Sequence, residues 1–213
     1  AMVGWPVEAI MPVSPQHSGT IVNWGKRWSE AYAPEGPLWR SMKSRIDVHE
    51  EQPAQYINVD TTCIDGSAAA DIWMQPYPGT DCAISFAWLN VVFEEELWDD
   101  QFVRYWSNAP FLVRKDTGKL LRADELEGGK REDFVVAEES TGDVKVWCSD
   151  ENRYYADGTI VPALRGTYQV KLADGSEVEC WTAFEAIEDR FKEWTPERVS
   201  KISNVPARKI RES

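Results

Sequence analysis

The 213-residue sequence predicts an α/β fold: a Rossmann-like parallel sheet with crossover helices, plus an inserted antiparallel β-hairpin lobe. Three observations predict it. Over residues 20–98, short β-branched runs alternate with helical spacing, the pattern of parallel strands joined by crossovers. Over residues 109–181, short apolar runs flank recurrent Gly and Asp turn signals, which reads as successive hairpins. Beyond residue 181 helical spacing returns, so the chain divides into an irregular approach (1–19), an α/β unit (20–108), a β lobe (109–181) and returning helices (182–213).

The approach is rich in Pro and Gly (Gly4, Pro6, Pro12, Pro15, Gly19). Thr20 to Trp24 is a short strand ended by Gly25, and a polar loop through Lys26, Ser29 and Glu30 follows. Pro37 opens a helix whose Leu38, Met42 and Ile46 make an apolar stripe, and Pro53 closes it. Gln55 to Val59 is a second strand with a polar exit, Asp60-Thr61-Thr62. Ala68-Ala69-Ala70 is a helical turn, Ile72 to Gln75 a third strand, and Pro76-Tyr77-Pro78-Gly79 a forced turn. A helix follows, with Thr80 placed to cap it and Asp81 at the positive end of its dipole. Its Ala83, Ile84, Ala87, Trp88, Val91 and Val92 keep helical periodicity. Glu94-Glu95-Glu96 reads as a solvated helix end and Asp99-Asp100 as the cap of the next helix.

In the lobe, three pairs of apolar runs flank Asp116-Thr117-Gly118, Ser140-Thr141-Gly142-Asp143 and Asp174-Gly175. Phe184, Ile187 and Phe191 then mark a helix. Thr195-Pro196-Glu197 opens another with a capping hydroxyl and a first-turn proline, and Pro206 begins a last one. That last helix stops within about two turns, too few to stand alone. With Ala1-Met2 reading as a cloning remnant, the expectation is a segment of a longer polypeptide.

Charge and composition narrow the function. With 23 basic against 36 acidic side chains, the net charge of −13 repels phosphate backbones and anionic lipid. No apolar run approaches the ~18 residues of a bilayer span. The expectation is therefore no nucleic-acid partner and no membrane insertion. Two histidines leave little room for histidine chemistry, and the four cysteines form no C-x-x-C pair. Eleven tryptophans, scattered from Trp5 to Trp194, read first as core and contact filling. An aromatic carbohydrate- or protein-binding face is the alternative.

Ligands of open parallel sheets bind beyond the carboxyl ends of the strands. Three such exits exist: Gly25-Lys26, Asp60-Thr61-Thr62, and Gly79-Thr80-Asp81. Glycine lets backbone approach a phosphate, Lys26 supplies charge, Asp60 suits ribose hydroxyls, and Asp81 at a helix start suits guanine. Singly, each is an ordinary turn or cap; at successive exits they mark a nucleotide crevice. Fingerprints for ordinary dinucleotide, P-loop, serine-hydrolase and zincin sites are missing. A free-standing nucleotide-binding protein is a second alternative.

These residues resemble a family. Ile21-Val22-Asn23-Trp24-Gly25-Lys26, Ile57-Asn58-Val59-Asp60, and the stretch from Ala69 to Asp81 look like the molybdopterin oxidoreductases of the dimethyl sulfoxide reductase superfamily. The likeness continues through Asn90–Asp99, Phe102-Val103, Trp194–Val199 and Ile202–Pro206. The lobe looks most like the branch of acetylene hydratase, transhydroxylase and catechol dehydroxylases. The resemblance implies a domain of a molybdenum or tungsten oxidoreductase that grips one guanine dinucleotide of the bis-molybdopterin guanine dinucleotide cofactor. By position, Gly25, Lys26, Ser29 and Glu30 would meet the pyrophosphate, Asp60, Thr61 and Thr62 the nucleoside, and Gly79, Thr80 and Asp81 the ribose or guanine. Many relatives carry Asp-Pro-Arg where this chain has Asp60-Thr61-Thr62, so a phosphate-facing arginine is not carried over. The family's iron–sulfur cysteines and metal ligand precede the Trp-Gly loop, and nothing here matches them or its final cofactor-binding barrel. The expected partners are thus the parent enzyme's remaining domains and an iron–sulfur electron-transfer subunit, with no catalysis by the segment alone.

Overall fold

In the computed structural model, residues 19–25, 55–63, 65–149 and 160–213 are described. The chain divides into two compact units, residues 1–88 with 194–213, and residues 89–193.

The first unit is built on β1 (Thr20–Trp24), β2 (Gln55–Val59) and β3 (Ile72–Met74), parallel and in the order β1-β2-β3. Register pairs Asn23 with Asn58 and Val59 with Met74. The central β2 is buried from Tyr56 to Val59, as expected of a parallel strand covered on both faces. The β2–β3 crossover is a single 3-10 turn, Asp65–Ala69. The predicted Pro37 helix and the exit residues Lys26, Ser29 and Glu30 lie outside the described residues.

Helix α1 (Asp81–Glu94) follows β3, as its periodicity predicts. Buried Ala83, Ile84 and Ala87 join Ile57, Val59 and Met74 in one cluster. Val199, Val205 and Ile210 complete that cluster from the C-terminal helices α4 (Pro196–Ser203) and α5 (Ala207–Glu212). Thr195 caps α4 by accepting from the Arg198 amide, Pro196 stands in its first turn, and Asn204 ends it at φ +67°.

The second unit takes α1 from Leu89 onward, then α2 (Asp100–Trp106), capped by Asp99, whose carboxylate accepts from the Phe102 amide at 2.9 Å. A sheet of β4 (Leu112–Arg114), β8 (Glu177–Thr182) and β7 (Thr167–Lys171) is antiparallel in the order β4-β8-β7. A separate hairpin pairs β5 (Phe134–Ala137) with β6 (Val144–Trp147). Two of the three predicted hairpins are therefore formed as read. The first is shorter: a single bridge joins Leu120 to Val113, with the Leu121 amide on Leu112 O and the Arg114 amide on Lys119 O, and β4 also pairs with β8. β5 is buried on both faces, with Val135 and Ala137 in the cluster around Leu112 and Val136 beside Phe111. Helix α3 (Ala183–Phe191) closes the unit, capped by Thr182.

Most described tryptophans are half-buried and packed against rings: Trp24 on Trp88, Trp194 on Phe86, Trp98 on Phe184, Trp147 on Phe111. That is the packing role rather than an exposed aromatic row; Trp106 is the exception, 75% exposed. No helix among the described residues is long and apolar enough to cross a membrane.

Candidate functional site

Because β1, β2 and β3 are parallel neighbours, their carboxyl ends reach one edge of the sheet. Gly25, Asp60, Thr61, Thr62, Gly79, Thr80 and Asp81 all leave from that edge within the first unit. Backbone bonds begin the assembly: the Gly25 amide donates to Val59 O at 2.9 Å and the Asp60 amide to Met74 O at 3.1 Å.

Side chains tie the exits further. The Trp24 indole Nε1 donates to Asp81 Oδ1 at 2.8 Å, joining the end of β1 to the start of α1 across 57 residues. Gln75 Nε2 donates to Thr61 O at 2.9 Å, and Trp73 Nε1 to Asp60 O at 3.0 Å, so the third exit holds the second. Asp60 Oδ1 accepts from both the amide and the hydroxyl of Thr62 at 3.0 Å, an Asx turn that fixes the loop locally. Beneath it, Asn23 Nδ2 donates to Asn58 Oδ1, Asn58 Nδ2 to Ser67 Oγ at 2.6 Å, and Ser67 Oγ to Thr62 O at 2.9 Å. This buried chain moors the loop to the sheet interior. The C-terminal helices hold the third exit: the Tyr77 amide donates to Ser203 O at 2.9 Å and Lys209 Nζ to Trp73 O at 2.6 Å.

Gly25 (φ +60°) and Gly79 (φ +86°) are exposed, and a Cβ at either would meet nothing within 4 Å. Glycine is needed for the backbone turn rather than for room, and the bare backbone stays open to a ligand. One expectation shifts. The Thr80 hydroxyl donates to Tyr77 O at 2.7 Å, closing the Pro78-Gly79 turn, while its carbonyl accepts the Ala83 amide at 3.0 Å. The hydroxyl thus joins the Thr80 amide, 3.1 Å away, on the Tyr77 carbonyl rather than serving the first-turn amides.

Among the described residues, Asp60 and Asp81 have neutral donors as partners and no ion pair. One oxygen of each is engaged. Their donor set thus accepts hydroxyls and amines, the chemistry of a ribose or a guanine edge. No group of three or more His, Cys, Asp or Glu able to hold a metal occurs among the described residues. Glu94, Glu95 and Glu96 are exposed, as a solvated helix end should be.

Sequence reading missed the Trp24–Asp81 tie, the Asn23–Asn58–Ser67 chain and the clamp by α4 and α5. The asparagines were visible: each interrupts an apolar strand at a position that parallel register brings together.

No family model matches the chain. Perchlorate reductase subunit alpha of Dechloromonas aromatica is 31% identical over 166 residues, covering 67% of this chain and 18% of that protein. Dopamine dehydroxylase of Eggerthella lenta is 26% identical over 242 residues, covering 78% and 23%. Among solved structures, acetylene hydratase from Pelobacter acetylenicus is similar over 93% of this chain and 16% of its own, at 17% identity and a TM-score of 0.49. The relatives define an enzyme class, the oxidoreductases. The chain belongs to the molybdopterin oxidoreductases of the dimethyl sulfoxide reductase superfamily. It spans about a fifth of the length of the curated relatives named here. Homology of this kind implies a molybdenum cofactor for the enzyme.

Proposed function

We propose that this segment is the unit of a larger molybdenum or tungsten oxidoreductase that holds one guanine dinucleotide of a bis-molybdopterin guanine dinucleotide cofactor. The observation that carries the reading is the cross-tied edge where three parallel strands end, with two carboxylates engaged by neutral donors alone. The described residues fit the nucleoside end of such a group. Asp81, oriented by Trp24, accepts from the guanine edge, Asp60 accepts from ribose hydroxyls, and Thr61 and Thr62 flank it. Gly79 and Thr80 bring the start of α1 close to the ribose. At the pyrophosphate, Gly25 contributes open backbone, and Lys26, Ser29 and Glu30 are assigned beside it from the family likeness. The cofactor, when bound, supplies the redox chemistry; this segment's residues bind and orient it. Iron–sulfur ligands, the metal ligand and an electron-transfer subunit are assigned to other parts of the parent enzyme, so the segment is catalytically silent alone.

Calorimetry with guanosine diphosphate tests the binding reading. The expected dissociation constant lies between about 10 μM and 1 mM, because half of the contacts belong elsewhere. Asp81→Asn weakens it by about ten-fold, and adenosine diphosphate binds less well. Equal affinity for both nucleotides, or an unchanged Asp81→Asn, overturns the reading. Turnover by the segment with cofactor, dithionite and substrate overturns its silence.

A further inference from the structure

The second unit contains a cleft of about 450 Å³ that the proposed cofactor function does not use, lined by Arg114, Thr117, Lys119, Leu120, Arg122 and Glu125. Its volume falls within the range of small-ligand pockets. Three cations face one carboxylate there, in a chain whose acids outnumber its bases 36 to 23.

The cations are not equivalent. Arg114 is consumed by structure: its guanidinium forks onto Asp116 at 3.1 and 2.6 Å and also pairs with Glu125. Glu125 in turn accepts the Arg122 amide at 3.1 Å. Lys119 and Arg122 have no ion-pair partner among the described residues. Asp116 and Asp174 act on Arg114, which leaves Lys119 and Arg122 as the lining cations without an ion pair among the described residues. Arg122 is also held in place: its guanidinium lies 3.9 Å over the Phe134 ring, which is itself stacked on Phe111 at 4.4 Å. The ring fixes the plane of the guanidinium without using its N–H edge. The Lys119 backbone is set by a tight turn, with the Arg114 amide donating to Lys119 O and the Gly118 amide to Arg114 O. A planar donor fork immobilised in advance, a second cation and a hydroxyl around an apolar Leu120 floor are the elements of oxyanion recognition.

We propose that this cleft binds a small molecule bearing an oxyanion, a phosphate or a carboxylate, on a compact apolar body. Arg122 takes the oxyanion through its fork, Lys119 adds charge, Thr117 donates a hydrogen bond, and Leu120 meets the body of the ligand.

The test is a nuclear magnetic resonance titration of the chain with inorganic phosphate and, separately, with benzoate, at ionic strength held constant with chloride. Saturable shifts at the Arg122 side chain and the Leu120 amide are expected with at least one of them; which anion produces them identifies the oxyanion. Lys119→Gln and Arg122→Gln should each weaken binding by about ten-fold, the scale of one charge-assisted hydrogen bond. Lys201→Gln, an equal loss of charge at an exposed residue of α4, should leave it unchanged. Absence of saturation with both anions, or equal weakening by Lys201→Gln, overturns the proposal. Should Arg122→Gln fail to fold, the exposed Lys119 carries the test: unchanged affinity in Lys119→Gln overturns it too.

Discussion

The two units handle charge differently. In the second, several acids pair with cations: Asp100 and Glu139 with Arg104, Asp116 and Glu125 with Arg114, Glu179 with Lys115, Glu188 with Arg165. In the first, the carboxylates at the sheet edge rest on an indole and a threonine. An acid held by a cation has spent its charge on structure, whereas one oriented by a neutral donor keeps it for a ligand. The contrast locates candidate binding groups in both units: the edge of the parallel sheet, and in the lobe the cleft where Lys119 and Arg122 have no ion-pair partner among the described residues.

The units also differ in how their cores are assembled, and core truncation should show the largest effects. Ile84→Ala in the first unit and Leu112→Ala in the second each remove a side chain with no exposure. Each should cost about 2–5 kcal/mol by urea unfolding. Site-resolved hydrogen exchange should find the loss centred in the altered unit, with nucleotide binding lost in Ile84→Ala and kept in Leu112→Ala. Equal loss of protection throughout both units in either variant breaks the comparison.

A smaller effect tests the polar interior of the first unit. Asn58→Ala strips a partner from Asn23, from the Tyr56 hydroxyl and from Ser67, all buried. The expected cost is about 1–3 kcal/mol, with a weaker grip on Thr62 and poorer nucleotide binding. In the second unit, Arg104→Ala removes a guanidinium that pins Pro162 O at 2.7 Å, and should cost stability without touching nucleotide affinity. Loss of nucleotide affinity in Arg104→Ala contradicts the assignment of the edge.

Much of this was legible in the residues because the signals are local. Gly25, Pro78-Gly79 and Thr195-Pro196 punctuate elements by their own backbone preferences, and the Asp174-Gly175 hairpin carries its turn with it. The exits on one edge followed once the strands were read as parallel. What stayed hidden depends on distant pairing. Leu112 to Arg114 look like one arm of a hairpin, and only the whole lobe reveals that they pair with β8 as well. The reassignment of the Thr80 hydroxyl depends on the turn bringing the Tyr77 carbonyl within 2.7 Å of it, which spacing cannot show.

Two helix caps, one in each unit, differ by about 1 kcal/mol. Thr195 caps α4 by one bond to Arg198. Thr182 caps α3, is fully buried, and also donates to Leu164 O. Thr195→Ala should therefore cost about 1 kcal/mol and Thr182→Ala about 2 kcal/mol in thermal unfolding. Reversal of that order removes burial as the cause.

The smallest effects concern pH, and their signs differ between acid and alkali. In the lobe, the Arg114 hydrogen bond holds Asp116 below the usual carboxylate range, Lys115 does the same for Glu179, and the Ser176 hydroxyl for Asp174. In the first unit, Glu197 is held down by its own backbone amide and by Arg211. A depressed carboxylate stabilises the native state above the unfolded value near pH 4, and that contribution is lost as pH falls through the native one. All four are exposed, so the acid limb should be shallow. Cys180 runs the other way: burial pushes its thiol up to about 11. Its native form keeps a proton that the unfolded chain releases near pH 8.5, so the contribution is complete below that value and lost as pH rises towards about 11. The lobe's urea midpoint should fall across this alkaline window, and Cys180→Ala should flatten the fall whatever its cost at neutral pH. At pH 8, iodoacetamide should label exposed Cys63 and Cys82 and spare Cys180. An alkaline limb unchanged in Cys180→Ala assigns it to another group.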